Sequence, residues 1–141
     1  AQGQKQANDA MSIEDLKNLH SKCRLDLSEH IETCLRQLAE HFPGFQFQSV
    51  ESEDGWGAKI RRDDYVGGRG DVNNLYSRTE MLIRTFSSTH NIELAAKATV
   101  RNKEIFNRSH FQFLNQVDVD SFRELVDLWA LEYAEQFAAR M

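Results

Sequence analysis

The residue types that most often bind metal ions or act as nucleophiles are few in this sequence. Its five histidines are His20, His30, His41, His90 and His110, and its two cysteines are Cys23 and Cys34. No two histidines have the spacing His-x-x-x-His, and neither cysteine belongs to a Cys-x-x-Cys motif, which are common signatures of a metal site. His30 and His41 share a predicted helix face but are too far apart to hold one ion. We therefore predict no metal site and no cofactor.

Two adjacent carboxylates, Asp63 and Asp64, lie beside Arg61 and Arg62. As a dyad they would suit acid–base chemistry. Adjacent residues of a strand point to opposite faces, however, so these four residues more naturally form a turn. An enzyme that uses the two carboxylates and a loop arginine is therefore the least favoured interpretation, and the sequence predicts no enzyme.

A glycine-rich stretch runs from Gly67 to Gly70. It lacks the Lys-Ser/Thr ending of a P-loop and does not open a helix. The backbone N–H groups of Gly68, Arg69 and Gly70 would form an anion-binding nest, although a flexible hairpin connection explains the glycines more simply. Arg69, Gly70 and Asp71 also spell an adhesion tripeptide, which is expected by chance in about one chain in fifty of this length.

The two cysteines are predicted to be free thiols. Cys23 and Cys34 are separated by 11 positions of a helical pattern, which is roughly 16 Å along a helix axis and too far for a disulfide. Both fall on the apolar face, so we interpret them as small core residues. Free thiols suit a reducing compartment, and this favours a cytoplasmic protein.

Length and composition indicate one folded domain. The chain has 141 residues, a net charge of −5 and 40% hydrophobic residues. Residues 12–141 are predicted to form a single α+β domain, and residues 1–11 a disordered N-terminal tail or a cloning remnant. The tail has no apolar segment of the kind found in a secretory signal. No apolar run approaches the length of about 20 residues that a membrane helix needs, so no membrane partner is expected.

The pattern of apolar residues changes twice along the chain. Spacings of three and four between residues 13 and 42 predict a long N-terminal helix, with Ser12 as its cap and Pro43-Gly44 as its end. The predicted apolar stripe of this helix consists of Leu16, Leu19, Cys23, Leu27, Ile31, Cys34, Leu38 and Phe42. A second cap signal at Asp26 leaves two shorter helices as an alternative. From Phe45 to Gln116 the period is two, and from Ser121 to about Ala139 it is helical again, with Ser121 as the cap.

The period-two region is divided by turn signals into five strands. The predicted boundaries are a turn at Glu51–Gly55, a loop from Gly67 to about Asn74, and turns near His90 and Asn107–Arg108. The last strand is Phe111–Gln116. Short connections favour a five-stranded antiparallel meander, with both helices packed on one face of the sheet. In the strand from Leu75 to Ser87 both faces carry apolar residues, so the sequence does not determine which face is buried.

Charge is distributed unevenly, and this is the main functional signal in the sequence. Residues 59–108 contain ten Lys/Arg and six Asp/Glu, although the whole chain is acidic with a pI near 5.5. If the aliphatic side of the sheet is buried, the other side carries a set of basic residues: Lys59, Arg61, Arg78, Arg84, Lys97 and Arg101. Among acidic residues, Glu80 and Glu93 are predicted to join them there. An ordinary solvated face with cross-strand ion pairs would explain this pattern. As a functional surface it would bind an acidic protein segment, or alternatively an anion or nucleic acid.

Two leucines in the last helix, Leu128 and Leu131, fall outside its apolar stripe. Together with the long first helix they predict a homodimer contact. The size, acidity and helix–sheet–helix order are similar to those of small bacterial secretion chaperones, although those proteins have a helix within the sheet and no motif is shared. The sequence thus favours a non-catalytic, homodimeric protein-interaction module of adaptor or chaperone type.

Overall fold

The computed structural model describes residues 11–68 and 70–141. The elements are α1 (Ile13–His41), β1 (Gln46–Ser52), β2 (Gly55–Gly68), β3 (Asp71–Ile83), β4 (Asn91–Val100), β5 (Lys103–Phe113), a 3-10 turn (Leu114–Gln116) and α2 (Val119–Ala139). The five strands form one antiparallel meander in the order β1-β2-β3-β4-β5. The α+β prediction is confirmed. The predicted tail lies outside the described residues except for Met11, which packs against the core.

The N-terminal helix α1 is continuous over 29 residues, which is about 44 Å. The Ser12 hydroxyl accepts a hydrogen bond from the Asp15 N–H at 3.0 Å, as the cap signal predicts. The alternative break at Asp26 does not occur, because Cys23 before it and Leu27 after it are both buried in the core. The Asp26 carboxylate instead contacts Arg123 of α2.

The buried stripe of α1 differs from the predicted stripe at its edges. His20 and Leu35 are buried although the pattern did not include them, whereas Leu19 and Cys34 are only half-buried. The interpretation of both cysteines as core residues therefore holds for Cys23 and is wrong for Cys34, which lies at the margin of the core. Both thiols are free.

The structure shows which face of β3 is buried. Met81 and Ile83 are fully buried under the helices, so Arg78 and Arg84 project from the opposite face. The strand is also displaced from the predicted Leu75–Ser87. The predicted loop at residues 67–74 is largely a ladder, in which Gly68 pairs with Asp71 at the end of a long β2–β3 hairpin. The apolar side chains of this extension, Tyr65, Val66 and Val72, are exposed rather than packed on the core, so a pattern based on one buried face does not detect it.

The β4–β5 turn lies at Arg101–Asn102, and the prediction of Asn107–Arg108 is wrong. Both turn residues have positive φ, +48° and +70°, as two-residue hairpin turns require. The Asn102 side chain accepts from the Tyr76 N–H at 2.8 Å and donates to the Asn74 carbonyl at 2.9 Å. These bonds to β3 stabilise a turn that lacks the usual glycine. Asn107 and Arg108 lie within β5, which ends at Phe113 rather than Gln116.

The C-terminal helix α2 begins before its predicted cap. Asp118 is the N-cap, and its carboxylate accepts from the Ser121 N–H at 3.4 Å. The helices run parallel, since contacts between α1 and α2 advance together from Asp26–Arg123 to Phe42–Phe137. This direction follows from the odd number of antiparallel strands between them. Both helices pack on one face of the sheet and enclose a single core.

The core includes one buried hydroxyl from α2. The Tyr133 side chain donates a hydrogen bond to the Thr99 carbonyl at 2.9 Å and joins α2 to β4. Burial raises the pKa of this phenol above its ordinary value. Within the described residues, no helix combines the length and apolar character needed to cross a membrane.

Candidate interaction surface

The face of the sheet opposite the helices, which we call the open face, carries most of the predicted basic residues. Alternation places Lys59, Arg61, Arg78, Arg84 and Lys97 on it. The predicted position of Arg101 on this face is wrong, because Arg101 lies in the β4–β5 turn. Arg101 and Asn102 both have positive φ and connect the last pair of the ladder, Val100 and Lys103, so Arg101 does not follow the alternation of the strand.

Three of these cations already have acidic neighbours on the same face. Arg78 bonds Glu80 at 2.8 Å and Arg84 contacts Glu93 at 3.3 Å. Arg61 lies 4.0 Å from Asp63. Because these pairs are partly solvent-exposed, each contributes little to stability. They do reduce the positive charge of the open face, and two of them involve Glu80 and Glu93, which the sequence predicts on this face.

The remaining positive charge is concentrated around Glu80. Lys59 on β2 and Lys97 on β4 are both directly opposite Glu80 in the strand register. No acidic group of the described residues lies within salt-bridge distance of either lysine. One carboxylate therefore faces three cations, including Arg78, and the group has a net charge of about +2. We call Lys59, Arg78, Glu80 and Lys97 the cationic cluster.

An exposed aromatic pair occupies the β5 side of the same face. Phe111 and Phe113 are 53% and 52% exposed, and their ring centroids are 5.8 Å apart in an edge-to-face arrangement. The pair was not among the predicted site residues. A phenylalanine spacing of i, i+2 in β5 is the sequence signal that finds it.

A shallow depression lies on the open face beside the cationic cluster. Its volume is about 160 Å³, and it is lined by Asp54, Glu80, Leu82, Arg84, Ala95 and Lys97. Leu82 is 7% exposed although it faces away from the helices. The depression therefore has an apolar floor and a charged margin, which suits a side chain of a bound segment.

Two other predicted sites have different outcomes. Asp63 and Asp64 lie in β2 rather than in a turn, and alternation places them on opposite faces, so they form no dyad. Asp64 bonds Arg62 at 2.9 Å, while Asp63 accepts from Asn74 at 2.8 Å. The predicted anion nest includes Arg69, which is outside the described residues. Its neighbour Gly70 has a φ of +86°.

The predicted dimer contact is exposed on α2. Leu128 and Leu131 are 59% and 56% exposed. Leu131 also borders a groove between the helices, with a volume of about 350 Å³. This interhelical groove is lined by Cys34, Gln37, Leu38, His41, Asp127, Ala130, Leu131 and Ala134.

A cluster of three polar side chains lies at the groove and was not predicted. The His30 Nε2 is 2.7 Å from the Asp127 Oδ1, and the Cys34 Sγ is 3.3 Å from the same oxygen. The distance between the Cys34 Sγ and the His30 Nε2 is 3.7 Å. The sequence signal is the spacing His30-x-x-x-Cys34, which a search for His-x-x-x-His and Cys-x-x-Cys overlooks.

The cluster lacks the geometry of a nucleophilic triad. In such a triad one ring nitrogen of the histidine contacts the nucleophile and the other contacts the acid. Here a single nitrogen, His30 Nε2, is close to both Cys34 and Asp127. Desolvation, together with the hydrogen bond to Asp127, raises the pKa of the Cys34 thiol to about 12. The thiol is therefore protonated near neutral pH and is a poor nucleophile.

Comparisons with protein-family models, with curated proteins and with solved structures find no significant match. The fold and the open face define a small α+β protein with one uncovered sheet surface. Its function is inferred from the geometry of this chain alone.

Proposed function

We propose that this protein is a non-catalytic interaction module that binds an extended segment of a partner protein on its open face. The observation that carries the proposal is the position of both helices on one side of the sheet. The other side is left with an unbalanced cationic cluster next to exposed aromatic rings. A segment that combines acidic and apolar side chains complements both features.

Charge complementarity supports an acidic partner segment as the ligand of the open face. Lys59 and Lys97 flank Glu80 from the two neighbouring strands, so their ammonium groups compete for one carboxylate that Arg78 already bonds. An acidic side chain placed between them would pair with the excess charge. We expect this ion pairing to increase mainly the association rate and the specificity of binding, as is usual for charges at the rim of an interface.

Apolar anchoring supports a protein segment rather than a purely ionic ligand. Phe111 and Phe113 expose about half of their surface, and aromatic residues commonly dominate the binding energy of protein interfaces. The depression beside Leu82 and Ala95 shares Glu80 and Lys97 with the cationic cluster, and Phe111 on β5 is paired with Glu93, two residues along β4 from Ala95. A segment that crosses β3, β4 and β5 would place apolar side chains in the depression and against the rings.

Selection from a random peptide library tests the proposal. We expect the full-length protein to enrich peptides that carry both acidic and apolar residues. The variant Lys59→Glu/Lys97→Glu should bind them at least about 10-fold more weakly, because each close like-charge contact costs on the order of a kcal/mol or more. The matched control Lys22→Glu/Arg140→Glu has the same net charge but changes residues outside the open face.

Three outcomes would contradict this function. The library would yield no enriched peptide, the open-face variant would bind as tightly as wild type, or the control variant would lose binding equally. The replacement Phe111→Ser/Phe113→Ser separates the apolar contribution, and we expect it to weaken binding with little change in salt dependence.

The alternative function is binding of an anion or a nucleic acid on the same face. It is favoured by the aromatic pair, because exposed rings beside cations can stack with unpaired bases. The acidic pI of about 5.5 and the internal ion pairs of Arg61, Arg78 and Arg84 weigh against it. Fluorescence anisotropy with a single-stranded oligonucleotide distinguishes the two. Tight binding that weakens steeply with salt would replace the protein-segment proposal.

We further propose that the module is a cytoplasmic homodimer. Two free thiols, Cys23 and Cys34, are compatible with a reducing compartment. Leu128 and Leu131 project from α2, away from the open face, and a two-fold contact between copies of α2 would cover them. A dimer formed in this way leaves both open faces free to bind partner segments.

A further inference from the structure

We propose that His30 and Cys34 of α1 and Asp127 of α2 form a Zn²⁺ site with three protein ligands. This site is independent of the open face, because its ligands lie on the helical side of the sheet. Among the described residues, it is the group of three potential ligands whose donor atoms all lie within 4.8 Å of one another.

The three donor atoms are close enough to one another to bind a single ion. A tetrahedral Zn²⁺ ion with bonds of about 2.0–2.3 Å separates its donor atoms by roughly 3.3–3.6 Å. The observed separations are 3.3 Å from sulfur to oxygen and 3.7 Å from sulfur to nitrogen. The nitrogen–oxygen distance of 2.7 Å is that of a hydrogen bond. It must widen by about 0.6 Å when the ion takes the place of the shared proton.

The parallel packing of the helices positions these ligands. His30 and Cys34 are one turn apart on the same face of α1, and Asp127 contacts both of them from α2. Contacts on either side hold the helices in this register, since Asp26 contacts Arg123 before the cluster and Phe42 packs on Phe137 after it. Little rearrangement of the backbone is therefore needed for binding.

The mixed donor set favours Zn²⁺ over other common divalent ions. A thiolate sulfur and an imidazole nitrogen suit zinc, whereas Mg²⁺ and Ca²⁺ require oxygen ligands. On binding, the Cys34 thiol releases its proton to solvent and its sulfur bonds the ion. His30 and Asp127 bond through Nε2 and Oδ1. Cys34 and Asp127 also line the interhelical groove, which leaves the fourth coordination position open to water.

Binding of Co²⁺ as a spectroscopic substitute, followed by competition with Zn²⁺ against a coloured chelator, tests this site in the full-length protein. We expect one equivalent of either ion, and a sulfur-to-cobalt charge-transfer band in the near ultraviolet. Cys34→Ser should abolish the band and weaken Zn²⁺ binding by at least about 10-fold, the loss seen even for outer partners of metal ligands. The control His41→Gln changes a histidine of the same groove and should leave both signals unchanged.

The proposal is overturned if wild type binds Zn²⁺ no better than Cys34→Ser. It is also overturned if His41→Gln removes binding equally, because the ion would then lie elsewhere. If Cys34→Ser fails to fold, the solvent-exposed change Asp127→Asn provides the second variant, and unchanged affinity in it would exclude the three-ligand site. Circular dichroism of each variant shows whether it is folded.

Discussion

At the scale of single residues, His20 is a buried histidine with a structural role. Its Nε2 donates a hydrogen bond to the Arg84 carbonyl at 3.0 Å and connects α1 to the end of β3. Its ring also contacts Phe86 edge-on, with a centroid separation of 5.8 Å. Burial is the main cause that lowers the pKa of His20 below 6.5, and the positive charge of Arg24 adds to it.

This lowered pKa predicts a loss of stability in acid. The unfolded chain takes up a proton on His20 at higher pH than the folded protein does, so it binds more protons in the interval between the two pKa values. The His20 contribution is present above pH 6.5 and is lost as the pH falls below that value. The variant His20→Gln can keep the hydrogen bond to Arg84. We expect its free energy of unfolding to depend less on pH than that of wild type.

Urea unfolding between about pH 7.5 and pH 5 measures this effect. The control His41→Gln replaces an exposed histidine of the same helix, and its free energy of unfolding should depend on pH as that of wild type does. If His20→Gln loses stability as steeply as wild type over this interval, His20 is not the responsible group.

At the scale of elements, the pairing of β2 with β3 depends on close approach at Gly57. A Cβ at this position would lie 1.9 Å from the Met81 carbonyl oxygen, and the next nearest atoms, at Met81 and Leu82, are also backbone of β3, so the clash cannot be relieved by a side-chain movement. We expect Gly57→Ala to lower the free energy of unfolding by about 3 kcal/mol. The control Gly68→Ala introduces a Cβ with no heavy atom within 4 Å. It should change the free energy of unfolding by less than about 0.5 kcal/mol.

Urea unfolding of the two alanine variants distinguishes these expectations. A wild-type midpoint for Gly57→Ala would mean that β2 and β3 pair in a different register. Because a shift of one residue exchanges the two faces of a strand, the cationic cluster would then lose Lys59, its one member from β2.

At the scale of the whole molecule, the proposed dimer predicts a mass of twice 16.3 kDa in sedimentation experiments at micromolar concentration. Burial of Leu128 and Leu131 in a two-fold contact would remove two of the most exposed leucines of α2 from water. We therefore expect Leu128→Ser/Leu131→Ser to be a monomer with an unchanged circular dichroism spectrum. The control Ile13→Ser alters an exposed apolar residue at the start of α1.

Two results would contradict the dimer as proposed. A wild-type protein that is monomeric at the highest soluble concentration excludes it. A dimer that persists in the leucine variant places the contact on another surface. Neither result changes the expectation for the open face, because the proposed binding of a segment involves only one subunit.

The fold could be predicted well from periodicity, and the connections less well. Spacings of three and four gave α1 its bounds within one residue, and the strict alternation from Ile92 to Val100 identified β4 and its buried face. The β4–β5 turn was misplaced because Arg101 and Asn102 adopt positive φ without a glycine. Their conformation depends on bonds to β3 that are distant in sequence.

The candidate sites were predicted only in part. Positions of Lys59, Arg78 and Lys97 follow from alternation alone, once the buried face of β3 is known. The His30, Cys34 and Asp127 cluster joins residues about a hundred positions apart. Only His30 and Cys34 have a local signal, their spacing of four.

The sequence by itself determined the class of fold, the order of its elements and the concentration of positive charge in the sheet. These properties depend on local periodicity and on composition, which a single chain displays directly. The tertiary structure alone decided which cations have partners, where the aromatic pair lies and which side chains meet between the helices. Those properties depend on strand register and on the parallel packing of α1 against α2, because contacts between distant residues form only when the whole core assembles.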